Sequence, residues 1–166
     1  MSDRPNGEFA CYRQILSFLH EEARLLDAGD LAGWLELFAE DGVYWIPSRA
    51  GQTDPRGVPS IIYEDRPLLA MRIDRLAHPR AHAALPAPRT MHLVGNVDVT
   101  GDAGANECRV TSKLLVVEYQ GGRMRVFAGA CQHVLCRLDV TFKIALKRID
   151  LIDCDGVHDR PISILL

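Results

Sequence analysis

Residues 109–137 read RVTSKLLVVEYQGGRMRVFAGACQHVLCR, and their reading decides the fold. Arg109 to Tyr119 and Arg123 to Arg137 carry the β-branched and aromatic residues of strands. Gly121-Gly122 between them fits a two-residue hairpin turn. Upstream, Met91 to Val99 has apolar residues or Gly at odd positions and mostly polar residues at even ones. That alternation predicts a strand with one buried face, and it puts His92 and Asp98 on the exposed side. Gly101 to Asn106 turns the chain between these strands. Downstream, Phe142 to Ile152 is a fourth strand whose apolar phase switches. Phe142, Ile144 and Leu146 are even, whereas Ile149 and Leu151 are odd, so a bulge near Lys147-Arg148 is expected. The result is four long antiparallel strands in hairpin succession.

The chain before this sheet is helical. Phe9, Tyr12, Ile15, Leu16, Leu19, Ala23 and Leu26 recur at steps of three and four, on one helical face. Gly29 can close that helix in the left-handed conformation. Asp30 then caps a second helix bearing Leu31, Trp34, Leu35 and Phe38. Asp41-Gly42 reads as a turn, and Val43-Tyr44-Trp45-Ile46 as a strand stopped by Pro47. Residues 47 to 59 hold three prolines and no periodicity, so a long loop is expected. Ile61-Ile62-Tyr63 is a short strand. Asp65 caps a third helix with Leu69, Ile73 and Leu76 inward, ended before Pro79. Helices followed by an antiparallel sheet mean an α+β fold, with the helices closing one face of a curved sheet into a cone.

With 166 residues, 48% apolar and 25% charged, the chain is expected to be one globular domain, 1–166. A net charge of −3 gives no footprint for nucleic acid. No stretch is long and apolar enough for a membrane helix, and the opening residues lack a signal core, which reads as cytoplasmic. Five cysteines without a CxxC read as buried thiols.

Three sets of residues invite chemistry. Cys131-Gln132-His133 with Cys154 and His158 imitates a Rieske site, but the second pair has one residue too many and the first lies mid-strand. Asp74, His78 and His82 have the spacing of an iron triad, but Pro79 breaks the helix between the histidines. Tyr44, Tyr63, His92 and His133 could form an acid/base pocket inside a cone, although His133 equally fits a hydrogen-bonded core histidine. No metal is expected on these residues. The densest charge feature is Arg66, Arg72, Arg75, Arg80 and Arg89 with His78 and His82 between them. It reads either as a solvated face or as a partner surface, since arginine and interspersed apolar residues suit protein interfaces.

The same segments carry a resemblance. Asp41 to Pro47, Gln52-Thr53-Asp54-Pro55, Ile62 to Arg66, His78-Pro79-Arg80-Ala81-His82, Arg89-Thr90, Asn96-Val97 and Lys147 to Leu151 look like the small, or beta, subunit of aromatic-ring-hydroxylating dioxygenases. The likeness runs from about Tyr12 to the C-terminus and is greatest to the benzoate, toluate and anthranilate branch. Gly95 departs from it, where the family commonly has Ser.

The resemblance implies a nuclear-transport-factor-2-like (cystatin-like) cone. It implies a non-catalytic chain that forms a homotrimer and a hetero-hexamer with a large, or alpha, subunit in aromatic degradation. The Rieske iron–sulfur cluster and mononuclear iron are then expected on that large subunit, fed with electrons by a reductase, with no cofactor on this chain. Under it, the segment from Arg66 to Arg89 faces the large subunit. The competing classes are a stand-alone dehydratase or isomerase of the same fold and a ligand-binding homo-oligomer.

Overall fold

The computed structural model describes residues 6–78, 86–100, 106–157 and 160–166, with side chains from residue 11 onward. The side chain of Phe9, Pro79, Arg80, His82, the start of the Gly101–Asn106 turn and His158 therefore lie outside the described residues.

Helix α1 spans Asn6–Ala28. Its inward stripe includes Ile15, Leu19 and Leu26, which are buried. Gly29, at φ +70, ends it as expected. The Gly29 N–H reaches the Leu26 carbonyl at 3.1 Å and the Asp30 N–H the Leu25 carbonyl at 2.9 Å, a Schellman closure. Asp30 then accepts from the Gly33 N–H at 2.9 Å and caps α2, Leu31–Leu35. This helix is shorter than its periodicity predicts. The Leu37 carbonyl accepts from Ile144 N–H at 2.8 Å, and Phe38 opens strand β1, Phe38–Ile46. Sheet pairing thus overrides the helical pattern, while Phe38 still meets Trp34 edge to face at 4.9 Å. Asp41-Gly42 does not end the strand. It lies where β1 advances five residues, Phe38 to Val43, against two on β6. A Cβ on Gly42 would sit 2.6 Å from the Ile144 carbonyl oxygen, so only glycine fits there.

Strand β2 is Ile62–Asp65 and helix α3 is Arg66–Ala77. Asp65 accepts from the Leu68 N–H at 3.0 Å, Pro67 sits in the first turn, and Leu69 and Ile73 are buried. His78 is extended at φ −67, ψ 130, the geometry imposed on a residue before proline. The predicted loop at 47–59 is internally locked. Gln52, almost buried, donates to the carbonyls of Asp54 and Val58 and to Ser60 Oγ, and accepts from the Ser48 N–H.

Strands β3 (Arg89–Thr100), β4 (Glu107–Gln120), β5 (Arg123–Leu138) and β6 (Thr141–Leu151) form the expected antiparallel succession. Gly121 and Gly122 have φ +59 and +79, as a primed hairpin turn requires. The sheet order is β2-β1-β6-β5-β4-β3, with β1 parallel to β6. Helix α1 packs chiefly on β3 across the concave face, and residues 160–166 run into the same concavity, with Ile162, Ile164, Leu165 and Leu166 buried.

Two bulges set the parity of the sheet. In β3, Gly95 pairs with Lys113 but Asp98 with Thr111, one residue extra, and Asn96 takes φ +50. Before this bulge the even positions face inward, so Met91 and Leu93 are exposed; after it Val97 and Val99 turn in. The expected parity therefore holds only for the second half of the strand. In β6, Val134 pairs with Leu146 and Leu135 with Ile144, so Ala145 is the extra residue. The predicted bulge exists, two residues earlier than expected, and it turns Lys147 inward.

β6 lies close against β5 at Gly129, where a Cβ would lie 2.4 Å from the Asp150 carbonyl oxygen. Gly129→Ala is expected to cost about 1–3 kcal/mol, read as a lower urea midpoint. Gly95→Ala, where a Cβ meets nothing within 4 Å, is expected to stay within about 0.5 kcal/mol of the parent.

Candidate functional site

The polar groups of the concave face converge on one carboxylate. Glu22 lies one turn beyond Leu19 on the inward stripe of α1 and is 3% exposed. Lys147 Nζ donates to its Oε1 at 2.7 Å and Trp34 Nε1 to the same oxygen at 3.1 Å. His133 Nε2 meets its Oε2 at 3.0 Å, and Cys131 Sγ lies 3.7 Å from His133 Nδ1. Burial alone would raise the Glu22 carboxyl. The Lys147 ammonium and the His133 imidazole overcome burial and hold it well below the usual carboxylate range. For His133, burial opposes the charge, but Cys131 and Glu22 beside it push the imidazole up to about 10.

A second pair adjoins this cluster. His92 Nδ1 is 2.6 Å from Asp27 Oδ1, and its Nε2 is 3.2 Å from the Leu165 carbonyl. Its side chain is 2% exposed, which corrects the expected outward placement; the β3 bulge is the reason. Burial draws this imidazole below its ordinary value against the pull of Asp27. Asp98 is exposed, as its parity predicts.

The four pocket residues read from the sequence do not form one site. His92 and His133 line a common space with Glu22, Ser112 and Lys147, but its volume is about 10 Å³, room for about one water. Tyr44 accepts from the Leu166 N–H at 3.0 Å and is sealed beneath residues 160–166; burial pushes its phenol well above the usual range. Tyr63 sits outside, edge to face with Trp45 at 5.9 Å. A larger cleft of about 840 Å³ opens between α1, α3 and the tail, where Asp27, Asp74 and Thr90 meet apolar walls.

The arginine-rich segment is partly used within the chain. Arg66 Nη2 pairs with Glu36 at 2.8 Å, and Arg72 grips Glu64 through two bonds of 2.8 and 2.6 Å. Arg89 stacks on the Tyr119 ring, 4.8 Å from its centre. Arg75 is exposed in the last turn of α3 and His78 caps it, while Arg80 and His82 lie outside the described residues.

Among the described residues no group of three or more His, Cys, Asp or Glu could hold a metal, and no helix is long and apolar enough to cross a membrane. Glu22 and Lys147 escaped the sequence reading. Glu22 had a signal, one turn after Leu19 on the apolar stripe; Lys147 needed the bulge at its true position.

A curved sheet of this strand order closed on one face by helices defines a nuclear-transport-factor-2-like chain. The model of the ring hydroxylating beta subunit family matches residues 21–155, and the chain belongs to that family. It is 33% identical over 169 residues to the small oxygenase component of the p-cumate 2,3-dioxygenase system of Pseudomonas putida, covering 99% of this chain and 92% of that one. It is 33% identical to the anthranilate 1,2-dioxygenase small subunit of Acinetobacter baylyi, covering 87% and 93%. The crystal structure of the benzoate 1,2-dioxygenase beta subunit from Burkholderia mallei superposes with a TM-score of 0.72 at 24% identity, over 98% of this chain and 100% of that one.

Glu22→Gln leaves two buried cations without their anion and is expected to cost about 3–5 kcal/mol in chemical denaturation. The pH dependence has a fixed sign. His133 is raised from 6.5 to about 10, so its contribution is complete below pH 6.5 and lost as pH rises through about 10. Glu22 is depressed below 4.5, so its contribution is present above pH 4.5 and lost on acidification. The melting temperature is expected to fall between pH 6.5 and 10, and His133→Gln to flatten that slope.

Proposed function

We propose that this chain is the non-catalytic small subunit of a multicomponent ring-hydroxylating dioxygenase acting on an aromatic acid, and that it supports assembly of the large subunit. The observation that carries this reading is that the two buried histidines have no substrate-sized space beside them, the cleft of about 840 Å³ being lined by neither. Substrate-sized pockets run to roughly 300–1,000 Å³, whereas His92 and His133 share about 10 Å³. A dehydratase or isomerase of this fold would need those groups open to substrate. In this reading the Rieske cluster and mononuclear iron sit on the large subunit, the chain acts as one domain over 1–166, and the complex is cytoplasmic.

The outer face of the sheet supports self-association into a trimer. Met91, Leu93, Leu115 and Tyr119 are exposed there. Strand register places Met91 opposite Val117 and Leu93 opposite Leu115, making one apolar patch. Three small and three large subunits would complete the hexamer. The large subunit is assigned to the side of α3, where Arg75, His78 and Arg89 with Arg80 and His82 are its proposed contacts. Arg66 and Arg72 serve that surface through their pairs with Glu36 and Glu64.

Leu93→Asp with Leu115→Asp is expected to convert the trimer to a folded monomer in sedimentation and to abolish co-purification of a co-expressed large subunit. A double variant that remains trimeric and carries the large subunit would remove the support for this face.

A further inference from the structure

The peptide unit joining Leu165 to Leu166 is held from both sides. Its N–H, on Leu166, donates to the buried Tyr44 hydroxyl at 3.0 Å. Its carbonyl, on Leu165, faces His92 Nε2 at 3.2 Å. The other ring nitrogen, Nδ1, is 2.6 Å from Asp27 Oδ1. Both partners of the ring are therefore acceptors. A neutral imidazole has one N–H and serves one of them; only the imidazolium donates to both.

The surroundings fix which partner the neutral ring keeps. Asp27 Oδ1 accepts from Thr90 Oγ1 at 3.0 Å, and Asp27 Oδ2 from the His92 backbone N–H at 3.0 Å, so the carboxylate is set beside Nδ1. The single proton of a neutral ring stays on Nδ1, and the Nε2 lone pair is left facing the Leu165 carbonyl oxygen. The other titratable groups around the ring are Glu22 of α1, Cys131 and His133 of β5 and Lys147 of β6. Glu22 is held ionised and His133 protonated on both sides of neutrality. Burial, helped by the Lys147 ammonium, outweighs Asp27 and draws His92 below its ordinary 6.5. The ring therefore takes its second proton as the pH falls below 6.5.

We propose that His92 is a pH-operated latch on the C-terminal tail: the imidazolium holds the Leu165 carbonyl, and the neutral ring lets it go. The other anchors of residues 160–166 do not respond over the same range. Arg125 holds the carbonyls of Arg160 and Pro161 through a guanidinium, a group that does not titrate in proteins. The Tyr44 phenol, pushed well above its usual range by burial, keeps its proton. Release is thus confined to the stretch between these anchors. Ser163, Ile164 and Leu165 lie there and form one wall of the cleft of about 840 Å³, so the latch sets where that wall stands. The inference is independent of the proposed subunit role, because every group in it belongs to this chain.

The test is an NMR titration of the isotope-labelled chain, in the assembly it forms, from about pH 7.5 to about pH 5, across the range in which histidine changes charge. The ring nitrogen shifts of His92 give its midpoint, expected below 6.5. The Leu165 carbonyl carbon is expected to shift with the same midpoint. Exchange protection of the Leu166 amide, in the same peptide unit, is expected to be about tenfold higher with the imidazolium, as gain of one charge-assisted bond gives. Asp27→Asn removes the acceptor that keeps the proton on Nδ1, so the neutral ring can carry its N–H on Nε2. In that variant the Leu165 carbonyl and the Leu166 amide are expected to stay in the held state at every pH. A Leu165 carbonyl that stays still while His92 titrates, or Leu166 protection equal at both ends, would overturn the proposal on the unaltered protein, whether or not the variant folds. An Asp27→Asn protein that keeps the full pH response would overturn it as well.

Discussion

The carboxylate of Glu22 is the point on which the rest of the molecule depends. It takes one donor from each of three other elements: Trp34 of α2, His133 of β5 and Lys147 of β6. An ion at that depth costs several kcal/mol to desolvate, and it is tolerated only when its lone pairs are met. Here both oxygens are engaged, and the ammonium also lies 5.6 Å from the Trp34 ring centre. Such a cluster adds less to net stability than an apolar core of equal volume would. What it imposes is geometry: α1 can satisfy Glu22 at only one rotation and one height over the sheet.

With the interior committed in this way, the space left beside His92 and His133 is about 10 Å³. Residues 160–166 complete the closure. Leu166 N–H meets the buried Tyr44 hydroxyl, the Leu165 carbonyl meets His92, and Ile162 and Ile164 fill the remaining apolar space. The tail is itself anchored by Arg125, which holds the carbonyls of Arg160 and Pro161. His92 and Tyr44 thus meet the backbone of this tail, while His133 meets the Glu22 carboxylate.

The elements set by local chemistry were legible in the sequence. Gly29 and Asp30 mark the α1–α2 junction, Asp65 and Pro67 start α3, and Gly121-Gly122 makes the hairpin; each acts through its immediate neighbours. What escaped was set at a distance. Phe38 keeps helical spacing but is taken by pairing with β6. His92 keeps polar parity but is turned inward by a bulge whose only local sign is Gly95-Asn96. The arginines of α3 read as free charges because Glu36 lies 30 residues from Arg66. The dioxygenase family resemblance was legible throughout, since it rests on short motifs in register and not on long-range contacts.

The two bulges tie the shape of the fold to its chemistry. A sheet must bend to close over α1, and an extra residue in one strand both bends it and reverses the side-chain parity beyond that point. In β6 the reversal at Ala145 carries Lys147 from the outer face to the inner one, where Glu22 needs a cation. In β3 the reversal at Asn96 puts His92 inside and leaves Met91 and Leu93 outside. One backbone device therefore supplies the polar interior and, on the opposite face of the same strands, the apolar patch. A substitution that straightened either bulge would exchange the two faces locally, burying neither the charge nor the hydrophobe where it is needed. Curvature, interior polarity and outer-face hydrophobicity in this chain cannot be varied independently.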